Sequence, residues 1–349
     1  MIKKPQIKFP SELRLDVVSK DWVVVAKGRE KLLLDFLRKG KRKIIKLSSK
    51  ICPFCQIQTQ EKPIFGLNNS EEAALPDIWP PKRFADWTTI LIPNKYPAFS
   101  PEAKIRETVE GELYQRLNAV GFHELVISRE HDKSPALLSV ERVKEMIDIY
   151  QKRYLELAKN SFVNHISIFY NHGVEAGASQ PHPHSQLITT PLIDIDLRQA
   201  LSNAEKYFKT RKKCVYCQMS AWEKKIKKRL VFENQGFLVT CPFASKVAFE
   251  MIITPKKHSA YFERIADQEK WQLAEALKTA LYKLYKGLGD PAYNFYLHTA
   301  PCDGKTYDYY HWHWTILPKT KPWAGFEIGT RIEISAIEPE KAAEYLRKQ

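Results

Sequence analysis

Apolar and polar positions fall into the same order twice along the chain. Phe122-His-Glu-Leu-Val-Ile-Ser-Arg-Glu-His131 and Phe249-Glu-Met-Ile-Ile-Thr-Pro-Lys-Lys-His258 each run through aliphatic residues into a turn and a histidine, which predicts a strand. After His131, residues Val143, Met146, Ile147, Tyr150, Tyr154 and Leu157 recur at helical spacing behind a capping Ser139. After His258, residues Trp271, Ala274, Leu277, Leu281 and Leu284 do the same behind Asp267, with Gly287 and Gly289 ending the helix. Strands over His165–Tyr170 and Tyr293–His298 follow, then a glycine-containing loop, then strands over His184–Thr190 and His313–Leu317. Each copy therefore reads strand, helix, strand, loop, strand. That order predicts the α+β class, an antiparallel sheet with a helix packed on it in each of two tandem domains. We expect them over residues 1–200 and 201–349, with the junction in Asp194 to Lys212 and a surface loop over Leu67 to Pro81.

Length and composition agree with this division. A chain of 349 residues exceeds the ~250–300 at which single cores stop growing. At 44% hydrophobic and 12% aromatic it can fill real cores. The N-terminal stretch has no apolar run of signal-peptide type, and no run is long enough to span a bilayer, so the expectation is a cytoplasmic protein without membrane contact. Much of the net charge of +15 sits in Lys39-Gly-Lys-Arg-Lys43 and Lys224-Lys-Ile-Lys-Lys-Arg229, read as solvated faces; no nucleic-acid motif accompanies them.

The chemistry lies in what the repeat carries. Cys52-Pro-Phe-Cys55 and Cys214-Val-Tyr-Cys217 stand upstream of His182-Pro-His184 and His311-Trp-His313. From His131 to His182 is 51 residues and from His258 to His311 is 53. Neither Cys-x-x-Cys has the βαβ setting of a redox dithiol, and a cytosolic chain of this size is no disulfide scaffold. Two zinc sets are therefore expected: Cys52, Cys55, His131 and His182, and Cys214, Cys217, His258 and His311. In the second, His298 competes with His258 or His313 as ligand. Cys241 and Cys302 read as packing residues, as do Trp312 and Trp314.

His182 and His184 share a face of an extended segment, as does Gln186. With His182 on a metal and one nitrogen of His184 held by a backbone carbonyl, the other nitrogen is free to attack phosphorus. Gln186 can donate to an oxygen that gains charge. The loop from Gly173 through Gly177 to Ser179 can turn backbone N–H groups, and the Ser179 hydroxyl, toward a phosphate. His313 is followed by Trp314 and Thr315 instead, so the second copy reads as structural or sugar-binding.

The string Gly177-Ala-Ser-Gln-Pro-His-Pro-His-Ser-Gln186, with Asp21-Trp-Val-Val-Val-Ala-Lys-Gly-Arg29, Pro93-Asn-Lys-Tyr-Pro97, Phe169-Tyr-Asn-His-Gly173 and Ala324-Gly-Phe-Glu-Ile-Gly-Thr330, resembles the galactose-1-phosphate uridylyltransferase family of the histidine-triad superfamily. The resemblance covers nearly the whole chain. It implies two histidine-triad-like domains, zinc, a homodimer with sites completed across the interface, and double displacement through a nucleotidyl-His184. UDP-glucose and a hexose 1-phosphate are the leading substrates. It further implies that Asn94 and Asn171 contact the nucleotide, Arg29 the phosphates, and Phe326 and Glu327 the sugar. Three family positions differ: Leu32, Ala178 and Ala200 stand where a second arginine, a cysteine and a metal-holding acid are common. The second Cys₂His₂ set resembles plant ADP-glucose phosphorylase, so an adenylyl donor with phosphate as acceptor, or a dinucleotide, is the alternative. A zinc-containing nucleotide-binding protein without turnover is the reading from another class.

Overall fold

The computed structural model describes residues 11–29, 47–81, 84, 86–102 and 104–349. Both copies of the repeat fold as their patterns predict, but they share one antiparallel sheet. Eleven strands run in the order Leu230–Glu233, Phe237–Thr240, Met251–Pro255, His313–Pro318, Tyr293–His298, His165–His172, His184–Thr190, His123–Ser128, Thr89–Pro93, Phe65–Asn68 and Glu71–Glu72. Read outward from the middle, each copy places its strands in the same sequence. The seam is the antiparallel pair Tyr293–His298 with His165–His172, in which Phe295 faces Tyr170. The first of these strands has the expected bounds, and the second runs two residues past the expected Tyr170.

Alternation gives the sheet two unlike faces. One carries Ile166, Ile168, Tyr170, Leu187, Phe295, Trp314, Ile316 and Ile253, all buried in one core. The helices Val140–Leu157 and Asp267–Leu288 cover it with their apolar stripes. Ser139 caps the first helix as predicted, its hydroxyl accepting the Arg142 N–H at 3.3 Å. The second corrects the prediction by one residue. Ala266 is the N-cap, Asp267 is the first helical residue, and Glu269 accepts the Ala266 N–H at 2.8 Å. At its other end Gly289 takes the left-handed cap at φ 69°, while Gly287 lies inside the helix. The opposite face carries His184, Gln186, Asn171, His298 and His313 along its middle strands, and this face holds the chemistry.

One other expectation changes. The loop expected over Leu67 to Pro81 begins inside the sheet, because Leu67 is buried and pairs with Thr89, and Glu71–Glu72 forms the edge. The stretch from Asp194 to Lys212 forms a helix, Ile195–Arg211, capped by Asp194 and burying Leu197, Leu201 and Ala204. A second, three-stranded sheet joins the two ends of the chain. Glu12–Leu15 pairs with Trp22–Val25, which pairs in parallel with Ile334–Ser335. The C-terminal helix runs Pro339–Arg347. No helix among the described residues is long and apolar enough to cross a membrane. The basic run at Lys39–Lys43 and the position of Leu32 lie outside the described residues.

Since Phe295 stacks on Tyr170 across the seam with ring centroids 4.9 Å apart, Phe295→Ala is expected to lower the unfolding free energy by ~3–5 kcal/mol. Urea denaturation of the full chain measures it, and a loss under ~1 kcal/mol would show that the seam is not a packed core.

Candidate functional site

Four side chains from three separate segments converge beside the first His-x-His. The Cys52–Cys55 turn is anchored by Phe54 and Ile57, which pack with Ile90, Ile92, Leu125 and Ile127 on the chemical face of the sheet. Cys55 Sγ lies 3.1 Å from His131 Nδ1 and 3.6 Å from His182 Nδ1; Cys52 Sγ lies 3.5 Å from His182 Nδ1. Each imidazole donates its Nε2–H outward, His131 to the Leu47 carbonyl at 2.6 Å and His182 to that of Ser128 at 2.7 Å. Both Nδ1 atoms are therefore bare, and they lie 3.3 Å apart. Two lone pairs at that distance repel unless a cation stands between them. Burial first, and the neighbouring Cys52 second, push the Cys55 thiol up to about 11, so its thiolate also calls for a cation.

The second cluster repeats this arrangement. Cys217 Sγ is 3.4 Å from Nδ1 of both His258 and His311. The two rings donate Nε2–H to the carbonyls of Asp308 at 2.7 Å and Pro255 at 3.0 Å. With Cys214 the four donor atoms lie within 4.8 Å of one another, as do those of the first set. Either group can hold a metal ion, and two sulfurs with two imidazoles in a closed shell suit zinc. His298 is not in the cluster; it stacks on His313 with centroids 4.6 Å apart.

His184 opens its strand, buried, with the Phe54 ring edge-on to it at 5.0 Å. Its Nδ1–H donates to the carbonyl of His182 at 2.9 Å. The tautomer is thereby set, and Nε2 keeps its lone pair. Burial holds the ring below the ordinary histidine range, so it is neutral. Gln186, on the same face, has its Oε1 2.8 Å from His123 Nε2. Asn94 lies beside them, its Nδ2 3.0 Å from the same nitrogen. Asn171 accepts from the Asn294 amide at 2.8 Å, and that amide also holds the Ala176 carbonyl at 2.8 Å, pinning the loop. Gly173 and Gly177 bound this loop at φ 86° and 85°, a backbone region open to glycine. Ser179 follows directly, five residues before His184.

The predicted site residues thus fall into two groups. His184, Gln186, Ser179, Asn94, Asn171, Gly173 and Gly177 belong to the first half of the sheet and its loops. Arg29, Phe326 and Glu327 do not join them. Arg29 ends a turn after Trp22–Val25, whereas Phe326 and Glu327 lie in the short helix Gly325–Thr330 before Ile334–Ser335, so the parallel pairing sets them at opposite ends of the small sheet. Phe326 is exposed, whereas Glu327 is buried, paired with Lys321 at 2.6 Å, and accepts the Ala324 N–H. His123 was given no role from sequence. It lies inside a strand that reads as plain core, and its partner Gln186 is 63 positions away.

His313 repeats the His184 device, donating Nδ1–H to the His311 carbonyl at 3.0 Å. Its surroundings differ. It faces a chamber of about 940 Å³ with Tyr216, His298 and Thr315 on the wall. Three cations there are already paired: Arg14 with Glu340 at 3.0 Å, Lys246 with Asp21 at 2.9 Å and Arg229 with Glu223 at 2.6 Å.

Known proteins are similar in sequence and fold. A family model described as galactose-1-phosphate uridyl transferase, N-terminal domain, matches residues 86–194, which include His131, His182, His184 and Gln186. The ADP-glucose phosphorylase of Arabidopsis thaliana is 31% identical over 341 residues, 97% of this chain and 92% of the relative. A galactose-1-phosphate uridylyltransferase of Thermotoga maritima is 25% identical over 347 residues, 97% of this chain and 98% of the relative. The crystal structure of the Arabidopsis ADP-glucose phosphorylase with bound ADP-glucose superimposes with a TM-score of 0.78 at 29% identity, covering 97% of this chain and 99% of that one.

Metal analysis of the purified chain is expected to give about two ions per chain, and Cys217→Ser about one. Two ions retained by that variant would remove the second cluster as a binding site.

Proposed function

Because the chain belongs to the galactose-1-phosphate uridylyltransferase family and is a nucleotidyltransferase, we propose that it acts on nucleotide sugars by double displacement through His184. The observation that carries this reading is the geometry of the His184 ring, whose Nδ1–H is committed to the His182 carbonyl, while burial disfavours its charged form. Nε2 attacks the α-phosphorus of the donor, and the sugar 1-phosphate departs with the bonding electrons as a stable anion. The ring becomes cationic as the new bond forms, and the carbonyl that accepts Nδ1–H stabilises that charge. A hexose 1-phosphate, or inorganic phosphate, then attacks the same phosphorus and releases His184. The Gln186 amide, the Ser179 hydroxyl and the N–H groups of the Gly173–Ser179 loop donate to the phosphoryl oxygens, while Asn94 and Asn171 contact the nucleoside.

Zinc in the two Cys₂His₂ sets would serve as a structural ion, and in the first it would fix the residue whose carbonyl orients the nucleophile. Arg29, Phe326 and Glu327, on elements flanking the small sheet, would complete the site of a second copy in a homodimer. Uridylyl transfer from UDP-glucose to a hexose 1-phosphate is the leading reading of the specificity, supported by the likeness to uridylyltransferases over nearly the full length. Phosphorolysis of an ADP-sugar is the second, supported by the second Cys₂His₂ cluster and by the 31% identity to the Arabidopsis phosphorylase.

Incubation with UDP-glucose and, separately, ADP-glucose, each radiolabelled at the α-phosphorus, is expected to leave acid-labile label on His184 from one donor, which names the base. His184→Asn should cut transfer by at least ~10³-fold and keep both metals. Label from neither donor overturns the reading.

A further inference from the structure

We infer that His123 is a positioning residue for this transfer, fixing which end of the Gln186 amide faces the phosphoryl group; the inference rests on the nucleotidyl-His184 reading. The backbone N–H of Ala98 lies 3.1 Å from His123 Nδ1 and can only donate. Nδ1 is therefore the accepting nitrogen, and in the neutral ring the proton sits on Nε2. That nitrogen lies 2.8 Å from Gln186 Oε1, so Nε2–H donates to the amide oxygen. With its oxygen pinned, Gln186 turns its NH₂ away from His123.

A glutamine lacking this partner presents either end. Its oxygen end would repel a phosphoryl oxygen, whereas its nitrogen end donates to one. Asn94 is set by related logic. Its Oδ1 accepts the Tyr96 N–H at 3.0 Å, which leaves Nδ2 beside the protonated Nε2 of His123. Two donors there do not bond to each other, so the Asn94 N–H groups remain for an acceptor on a ligand. Both nitrogens of His123 are committed to protein groups, and it carries no proton in the reaction. It acts by orientation, as the outer partners of site residues commonly do.

The test uses the full chain and two readings, the single-turnover rate of label transfer to His184 and the dissociation constant of the labelled donor. His123→Ala is expected to slow transfer ~10–100-fold with donor affinity changed less than about threefold. His123→Gln, whose amide N–H can take the place of Nε2–H, should restore most of the rate. In a Gln186→Ala background, His123→Ala should add no further loss, because one residue acts through the other. Retained metal content shows that each variant is folded. A labelled wild type with an unslowed His123→Ala, a His123→Gln as slow as the alanine variant, or multiplied losses in the double variant overturns the positioning role alone. An unlabelled wild type overturns it together with the reading it rests on.

Discussion

His182 is engaged at both ends of its own residue. Its ring lies among the four donors of the first cluster, and its carbonyl accepts the proton of His184 Nδ1. The two contacts share one backbone position, so whatever immobilises the ring also aims the carbonyl. A histidine on a free loop would sample both tautomers and many orientations. Here one choice survives, and burial keeps the ring uncharged. A distant pair of cysteines thereby governs the proposed nucleophile without touching the reacting atoms.

The second half of the sheet carries the same device. His311 and His313 reproduce it, ring to cluster and carbonyl to neighbour. What surrounds the two neighbours decides what each can do. Beside His184 stand an amide, a second histidine that orders it, and a loop bounded by two glycines of positive φ. Beside His313 stand a stacked imidazole, a threonine and cations already satisfied by carboxylates.

Much of this was legible in the chain, and the reasons differ by element. The helices and middle strands follow from periodicity because each is decided by neighbours a few positions away. The two clusters follow from matched intervals, since a metal set leaves the same spacing in each copy. The seam left no such mark. Tyr170 and Phe295 are ordinary strand aromatics until register places them together. The edge at Glu71–Glu72 was obscured by its acids and a following run of turn residues. His123 shows the limit most clearly, because only its proximity to Gln186 and Ala98 gives its nitrogens their tasks. Arg29, Phe326 and Glu327 stand on elements flanking the small sheet, apart from the strand that carries His184.

The parallel pairing of Ile334 with Val24 joins positions 310 residues apart. During synthesis the hairpin of Glu12–Leu15 and Trp22–Val25 must wait for its third strand until Ile334–Ser335 has been made. Closing so long a loop is slow, though the entropic penalty rises only with the logarithm of its length. The small sheet is thus a clasp that shuts only once Ile334–Ser335 has been made. Lys27 and Glu338, 3.1 Å apart, tighten it, and so do Arg14 and Glu340. Because Arg29 and Glu327 flank that clasp, a nascent or truncated chain could fold its central sheet and still lack the surface that the small sheet presents.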